Sequence, residues 1–263
     1  DWDEEQKQKM ITEYGGEFST AFKLNCLGEI IEGAEGKYDI ERIKKQCWNY
    51  DKRIKFFEID KDIFKEVEGL EGQERKQKIE EILAKKLSID RLPSERIICA
   101  SDIGTTGTPS EVAIYFFLNG KWRYEYQISL FKMTVKEQAE VFNWFYKKLG
   151  SCFIALDTTN ADGRAIRDEL IVDFKIPQEH LSDFRMNQNI EIDFLKDTKG
   201  KIIRDRSGKP QKKVENTKEW AIQCNEKILY NGEIEIPHDE KFLKEFSQFF
   251  EIKSGNRKSR IRN

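Results

Sequence analysis

Two aspartates, Asp102 and Asp157, have the placement in this chain that best predicts a chemical function. Each follows a short apolar run, residues 97–101 and 152–156, of the kind found in a strand that is buried on both faces. If these strands are parallel neighbours, about 4.8 Å apart, the two carboxylates emerge side by side at one edge of a sheet. There they could bridge one hard cation, or hold two cations about 4 Å apart.

The alternative for either aspartate is a structural role, in which its side chain only caps the turn or helix that follows. The matched placement of two such residues favours the metal site, because adjacent carboxylates repel each other strongly unless a cation neutralises them. Asp162 and Asp168, which follow Asp157 in the chain, could tune such a site from outside it. Their alternative role is that of solvated acids near the ends of a helix.

The composition argues against several other kinds of site. The 263 residues include only two histidines, which disfavours His-rich metal centres and Ser-His-Asp catalysis. Five cysteines are scattered without a CxxC pair, which disfavours a zinc ribbon and indicates reduced thiols in a cytosol-like compartment. No apolar run approaches the roughly 20 residues that a membrane span needs, so no membrane is expected as a partner.

The elements that must position the two aspartates follow a regular order from residue 96 onward. The first apolar strand is followed by two alternating strands joined at Asn119-Gly120, a dipeptide that tolerates the positive φ angles of a tight hairpin. Thr134 and Glu137 form a capping-box pattern at the start of a helix, and the second apolar strand and another helix come next. This order predicts an α/β fold whose mixed sheet has three antiparallel strands and a crossover to a parallel partner.

The remaining segments are predicted to be a helical arm and a looser C-terminal region. Amphipathic spacing in residues 39–48 and 73–87 predicts helices, so residues 1–95 are expected to form a helical arm or subdomain before a second domain at 96–263. The later patterns predict a strand at 190–194 and a helix from 217 to 230, then a strand at 234–236 and a last helix from about 239 to 250. The chain begins at Asp1 rather than Met, so we expect a piece of a longer protein.

The end of the chain is basic although the whole chain carries a net charge of −2. Residues 196–213 hold eight basic and two acidic side chains, which could follow a DNA backbone without reading its bases. The alternative is a solvated hairpin that has no partner. The candidate DNA-binding residues are Lys199, Lys201, Arg204, Arg206, Lys209, Lys212 and Lys213.

The loop that follows the first strand has a competing interpretation. Its sequence, Asp-Ile-Gly-Thr-Thr at 102–106, resembles the first phosphate loop of actin-like ATPases and sugar kinases, where hydroxyls and backbone N–H groups face nucleotide phosphates. Such kinases open with this loop near their N-terminus and need a second domain of comparable size. Here 101 residues precede the loop and no second phosphate loop follows, so the metal site is the preferred interpretation.

A further resemblance covers residues 98–170, which are similar to the nuclease domain of the large subunit of tailed-bacteriophage or prophage DNA-packaging terminases. Residues 14–29 and 232–237 are similar to the segment that leads into that domain and to the strand before its final helices. The matching stretches are Ser-Asp-Ile-Gly-Thr-Thr-Gly-Thr-Pro-Ser at 101–110, Met133 with Gln138, Ile-Ala-Leu-Asp-Thr-Thr at 154–159 and Asp-Glu-Leu at 168–170.

This resemblance implies an RNase H-like (RuvC-like) nuclease fold and a two-metal-ion endonuclease that cuts double-stranded viral DNA during genome packaging. Asp102 and Asp157 would then be catalytic and would hold two Mg²⁺ or Mn²⁺ ions. The portal and the small terminase subunit are the partners that it implies, and the host cytoplasm is the location. A noncatalytic DNA-binding packaging module remains an alternative.

The chain departs from this family pattern in two respects. It has no GxxxxGK[ST] loop, so the ATPase motor part is not expected in it. The family places a third acidic ligand on the last helix, after the strand that resembles residues 234–236, whereas this chain ends at Asn263 in a basic run. Asp239 is the nearby candidate, but its position just after Pro237 suits a helix cap better. We therefore expect the third ligand beyond Asn263.

Overall fold

The computed structural model divides the chain into two compact units, Gln46–His238 and a second unit made of Asp1–Lys45 and Asp239–Asn263. The second unit contains residues 40–45 of a helix and an antiparallel pair of short strands at 250–252 and 260–262. The structure describes residues 6–8, 11, 40–49, 51–104, 107–196, 200–205, 207–239, 250–252 and 260–262.

The secondary structure consists of strands and helices that alternate along most of Gln46–His238. The helices are α1 (Ile40–Cys47), α2 (Gly72–Lys86), α3 (Val135–Lys148), α4 (Ala161–Val172) and α5 (Thr217–Tyr230), with 3-10 helices at Lys61–Val67 and Gln178–His180. The strands are β1 (Trp48–Asn49), β2 (Lys55–Asp60), β3 (Ile97–Asp102), β4 (Ser110–Leu118), β5 (Lys121–Phe131), β6 (Phe153–Asp157), β7 (Leu181–Phe184), β8 (Asn189–Phe194), β9 (Lys212–Asn216), β10 (Ile234–Pro237), β11 (Phe250–Ile252) and β12 (Arg260–Arg262).

Eight strands form a mixed sheet in the order β1-β10-β5-β4-β3-β6-β7, with β2 also paired to β5. Strand β4 is antiparallel to both β3 and β5, whereas β6 and β7 run parallel to β3. The five strands β3 to β7 therefore have the order 3-2-1-4-5 with the second strand reversed, which is the topology of the RNase H-like fold. The α/β fold class and the mixed sheet predicted from the sequence are confirmed.

Helices α3 and α4 contribute to the main hydrophobic core together with one face of this sheet. Strand alternation directs Cys99 of β3 and Ile154 of β6 to that face, where both are completely buried. Phe142 of α3 and Ile166 of α4 are buried in the same core. Because side chains alternate along a strand, the neighbouring positions on β3 and β6 point to the opposite face, and the two terminal aspartates lie there.

The local signals in this region are confirmed. Asn119 and Gly120 both adopt positive φ angles, 51° and 79°, between the paired strands β4 and β5. The Thr134 side chain accepts a hydrogen bond from the Glu137 backbone N–H, and the Glu137 carboxylate accepts one from the Thr134 backbone N–H. This capping box satisfies two of the N–H groups at the start of α3.

The segment before residue 96 differs from the helical arm expected there. Helices α1 and α2 lie where the spacing predicts them, but residues 55–60 form strand β2, which pairs with β5 in the main sheet. Ile59 of β2 is completely buried. Arg75 of α2 binds Glu140 of α3 through two hydrogen bonds of 2.8 and 2.9 Å. Residues 46–95 thus belong to the same compact unit as the sheet.

The C-terminal elements agree with the sequence pattern as far as the structure describes them. Helix α5 and strands β8 and β10 lie where they are predicted, and β8 pairs with β9 to form a separate two-stranded ribbon. The last helix, expected from about 239 to 250, falls outside the described residues. Within the part of the chain that is described, no helix has the length and apolar character needed to span a membrane.

Candidate metal site

Asp102 and Asp157 end two neighbouring parallel strands, β3 and β6. Ser101 is paired with Leu156, so the aspartates form the next position in register and leave the same face of the sheet. The Asp157 Oδ1 atom accepts a hydrogen bond of 2.7 Å from the Thr159 backbone N–H, which orients this carboxylate. The structure thus brings the two predicted residues together as the sequence indicates; that they hold metal ions stays a prediction.

A third carboxylate, that of Glu111, lies in the same row across the sheet. Glu111 of β4 is the register partner of Asp102, and Ser129 of β5 is in turn the partner of Glu111. The Ser129 hydroxyl donates to the Glu111 carboxylate at 2.8 Å, and the Gln127 amide donates to it at 3.0 Å. Glu111 was not predicted from the sequence, although a glutamate inside a strand with alternating buried residues is a visible signal of a functional side chain.

The row of carboxylates has an electrostatic effect on Asp102. Partial removal of the carboxylate from water raises the pKa of Asp102, and the negative charges of Asp157 and Glu111 raise it further. Among the residues that the structure describes, the Asp102 side chain makes no hydrogen bond or ion pair, and the Asp157 side chain makes no ion pair. The same residues contain no group of three or more His, Cys, Asp or Glu side chains with the spacing of a metal site.

Two glycines allow the backbone to approach closely beside the aspartates. A Cβ atom at Gly163, in the first turn of α4, would lie 2.0 Å from the carbonyl oxygen of Asp157. A Cβ atom at Gly104 would lie 2.3 Å from the carbonyl oxygen of Pro109. Real Cβ contacts are longer than either distance, so a side chain at Gly163 would displace the backbone of Asp157, and one at Gly104 would displace the loop at Pro109.

The two loops that follow the aspartates are tied together and anchored to α3. Asn160 caps α4 by accepting a hydrogen bond from the Gly163 N–H, and its amide donates to the Ile103 carbonyl at 2.7 Å. In the other loop, the Gly104 N–H donates to the Ser110 hydroxyl, which donates to the Gln138 side chain at 2.8 Å. Because Ser110 and Gln138 are buried, this network fixes the start of the loop after Asp102.

The other acidic residues considered in the sequence analysis lie at different places. Asp162, in the first turn of α4, lines a cavity of about 230 Å³ together with Gly104, Thr108 and Lys132. The Asp168 side chain is 73% exposed and lies 3.6 Å from the guanidinium of Arg167. Asp239 belongs to the second compact unit.

Two of the candidate DNA-binding residues, Lys212 and Lys213, lie on strand β9, and Lys201, Arg204 and Lys209 lie in the segment between β8 and β9. Lys212 forms an ion pair with Glu191, and Lys213 forms one of 2.6 Å with Glu215. The Arg204 guanidinium donates to the Gly208 carbonyl at 2.8 Å. Lys201 and Lys209 are exposed, while Lys199 and Arg206 lie outside the described residues.

A second pair of carboxylates, Glu125 and Glu235, lies elsewhere on the sheet and is neutralised. The Arg123 Nε atom is 3.3 Å from Glu125 and 3.1 Å from Glu235, and the Lys52 ammonium is 3.7 Å from Glu125. The Asn49 amide donates to Glu235 at 2.9 Å. Burial works to raise the pKa of Glu235, but the Asn49 hydrogen bond and the charges of Arg123 and Lys52 outweigh it and lower that pKa.

Comparison with known proteins shows similarity to solved structures alone. No protein-family description and no curated protein sequence matches the chain. The large terminase nuclease of thermophilic phage G20c with bound magnesium is 16% identical, with a TM-score of 0.46, over 66% of this chain and 74% of that one. The Thermus phage P74-26 large terminase nuclease domain is 14% identical, with a TM-score of 0.44, over 67% and 74%. The large terminase of another thermophilic bacteriophage is 13% identical, with a TM-score of 0.40, over 62% and 34%.

Proposed function

We propose that this chain is a metal-dependent endonuclease that cuts double-stranded DNA, with Asp102 and Asp157 as its catalytic metal ligands. The observation that carries the proposal is the adjacent pair of carboxylates, which meets no cationic side chain among the described residues. A structural aspartate usually has a hydrogen bond or ion pair that stabilises its charge, whereas the Asp102 carboxylate has neither within the described residues and that of Asp157 accepts only the Thr159 N–H. A divalent cation would supply the charge that this pair lacks.

The donors present fit a hard cation such as Mg²⁺ or Mn²⁺. All the nearby charged donors are carboxylate oxygens, which these ions prefer over nitrogen or sulfur ligands. When two such cations are bound, they make a water molecule more acidic and stabilise charge on the phosphate and the leaving oxygen. Asp102 would be the shared ligand and Asp157 would hold one ion. Glu111, fixed by Ser129 and Gln127, would add negative charge beside them.

The wider setting that we propose is DNA packaging by a terminase. The nuclease domain of residues 96–263 would be extended by residues 46–95, which share the compact unit of the sheet, and the portal and the small terminase subunit would be its partners in the host cytoplasm. The exposed cations of residues 201–213, on strand β9 and on the segment before it, would contact the DNA backbone.

The test of this function is plasmid cleavage with Mn²⁺. We expect nicking and linearisation by the wild-type chain, and a loss of at least about 100-fold in rate for Asp102→Asn and for Asp157→Asn, because each removes a direct metal ligand. EDTA should abolish cleavage. Glu235→Gln is the matched control, since it neutralises a half-buried carboxylate of the same sheet that already has cationic partners; this variant should cleave normally.

Two outcomes would contradict the proposal. Cleavage by Asp102→Asn at the wild-type rate would remove this residue from the site. Intact plasmid with the wild-type chain at every Mg²⁺ and Mn²⁺ concentration would exclude the nuclease. Retention of DNA in gel shifts under those conditions would instead favour the noncatalytic binding module.

A further inference from the structure

Two arginines at the edge of the sheet have guanidinium groups that share one acidic partner. The Arg167 Nε atom of α4 lies 3.8 Å from one carboxylate oxygen of Asp183, and the Arg185 Nε atom lies 3.8 Å from the other. Both distances are too long for a hydrogen bond. Both Nε atoms are buried without a hydrogen-bond partner among the described residues. The side chains themselves are 31% and 40% exposed.

This pair of arginines lies beside the loop that follows Asp157. The Phe184 carbonyl accepts a hydrogen bond of 2.9 Å from the Thr158 N–H, and the Met186 N–H donates to the Thr159 hydroxyl at 2.9 Å. Arg185 lies between Phe184 and Met186, so its backbone is fixed against this loop. Strand β7, which carries Asp183, is the last strand of the sheet on this side among the described elements.

A third arginine holds the same loop in place. The Arg164 guanidinium donates to the carbonyl oxygens of Thr158 and Thr159 at 3.2 and 3.1 Å. Arg164 therefore uses donors within the protein, whereas no hydrogen bond from the Arg167 or Arg185 side chain is formed within the described part of the chain. Each guanidinium has five N–H donors in a planar fork that matches the oxygens of a phosphate group.

The ribbon offers a different kind of positive charge. There Lys212 and Lys213 each have an acidic partner of their own, Glu191 and Glu215, across the strands or two residues away. An anion that approaches these lysines has to compete with those carboxylates. Arg167 faces Asp168 at 3.6 Å in addition to Asp183, but neither arginine is within hydrogen-bond distance of these carboxylates, so the N–H donors stay available beside the loop of a proposed metal ligand.

We propose that Arg167 and Arg185 together bind a backbone phosphate of the DNA next to the carboxylate site. This inference rests on the proposed function, because it takes double-stranded DNA as the substrate. Asp183 is the register partner of Leu156 and so lies on the helix-covered face of the sheet; a phosphate held here would fix the DNA strand at the β7 edge, beside the loop that follows Asp157. The residues contact the phosphate group alone, so the contact is independent of base sequence.

The experiment measures the binding of a fluorescent DNA duplex by anisotropy as a function of salt, in EDTA and in an Asp102→Asn background that prevents cleavage. We expect Arg167→Ala/Arg185→Ala to raise the Kd about tenfold at low salt and to reduce the slope of log K against log salt by about 1, the value for one phosphate contact. The control, Lys85→Ala/Lys86→Ala, removes two exposed cations from α2 and should change neither quantity.

A second variant separates DNA contact from a structural role. Asp183→Asn removes the acid that both guanidinium groups share, and we expect it to lower the Kd about threefold, because Arg185 then meets no competing carboxylate among the described residues and Arg167 keeps only Asp168. A purely structural pair would instead lose stability, measured by thermal unfolding, without any gain in affinity. Equal affinities of the arginine variant and the lysine control would overturn the inference.

The proposed nuclease function is judged separately, by plasmid cleavage with Asp102 intact. Cleavage by the wild-type chain combined with unchanged DNA affinity of Arg167→Ala/Arg185→Ala would reject the arginine contact alone. Arginine-dependent binding without any cleavage would support the contact and reject the nuclease. A wild-type chain that binds no DNA would reject both.

Discussion

Glu125 and Glu235 share the cations Arg123 and Lys52, whereas Asp102 and Asp157, a second pair of carboxylates on the same sheet, meet no cationic side chain in the described structure. The surroundings change the pKa values in opposite directions. The pKa of Glu235 is lowered by its hydrogen bond and its cationic neighbours, while the pKa of Asp102 is raised by burial and by neighbouring negative charge.

This difference separates a stabilising cluster from a site that can bind a cation. Carboxylates that already have an arginine gain little from an added metal ion, because the guanidinium competes for the same oxygens. Carboxylates that repel each other lower the stability of the empty fold and gain most from a divalent cation. Burial alone does not make a carboxylate available to a metal ion, since the Glu125 side chain is only 13% exposed and still has cationic partners.

The largest effect on cleavage is expected when Asp102 is given a cationic neighbour of the kind that Glu235 has. Glu111→Lys places a cation directly across from Asp102 in register and changes the local charge by two. We expect cleavage in Mn²⁺ to fall about 100-fold, since like charges some 5 Å apart oppose metal binding by several kcal/mol at a surface-like dielectric. Initial rates of plasmid nicking over a range of Mn²⁺ concentrations measure this.

Glu111→Gln is the control for that substitution, because it removes one negative charge without adding a positive one. Its effect on cleavage should be clearly smaller than that of the lysine. A Glu111→Lys variant that cleaves as fast as the wild type would show that charge around Asp102 does not control the site.

Addition of a divalent cation should distinguish the two pairs without any assay of activity. At Mn²⁺ concentrations about 100 times the Kd, binding to the folded state alone stabilises it by about 2.7 kcal/mol. We expect this increase in the unfolding free energy in the wild type and in Glu235→Gln, and its loss in Asp102→Asn. Urea unfolding with and without Mn²⁺ measures the difference. An equal increase in all three proteins would place the cation elsewhere.

Removal of Arg123 tests whether the neutralised pair, Glu125 and Glu235, stabilises the fold. Arg123→Ala leaves Glu125 and Glu235 with Lys52 and Asn49 as their remaining partners, so we expect a loss of about 1–2 kcal/mol in the free energy of unfolding. Urea unfolding near neutral pH measures it. The cleavage rate of the folded variant should stay at the wild-type value, and a simultaneous loss of Mn²⁺ binding would mean that the two pairs are coupled.

The smallest effect concerns pH in the absence of metal. The folded-state pKa of Asp102 is raised, so its protonated form stabilises the fold; this contribution is complete below the unfolded pKa and is lost as the pH rises through the folded pKa. Asp102→Asn should therefore be more stable than the wild type at neutral pH in EDTA, by less than about 1 kcal/mol. The pKa of Glu235 is lowered, so Glu235→Gln should lose stability at neutral pH.

Unfolding free energies of both variants between pH 4 and 7 give the signs directly. The difference between Asp102→Asn and the wild type should grow as the pH rises, and the cost of Glu235→Gln should shrink as the pH falls through its folded pKa. A destabilised Asp102→Asn at neutral pH would mean that Asp102 has a structural role.

Local signals in the sequence were sufficient for the part of the fold that holds the aspartates. The Asn119-Gly120 turn, the Thr134 cap and the two apolar strands depend on neighbouring residues, and each is confirmed. Strand β2 was missed because its charged sequence joins the sheet through pairing with β5, some 70 residues later in the chain. Such pairing leaves no local pattern.

The same reason explains which site residues escaped notice. Arg167 and Arg185 are separated by a helix end, a loop and a strand. Only the folded chain brings Arg167 to Asp183 and Arg185. The basic segment was visible as a composition, but composition does not reveal that Lys212 and Lys213 face Glu191 and Glu215. Long-range neighbours thus decide which charges are available to a ligand.

The parallel pairing of β3 with β6 also has a consequence for folding kinetics. The hairpin of β4 and β5 closes through a two-residue turn, a step of microseconds. The pairing of β3 with β6 closes a much longer loop, which contains that hairpin and α3, so we expect it to form later. The two aspartates become neighbours only when this late contact forms. A cation bound between them should therefore slow unfolding and leave the rate of folding almost unchanged.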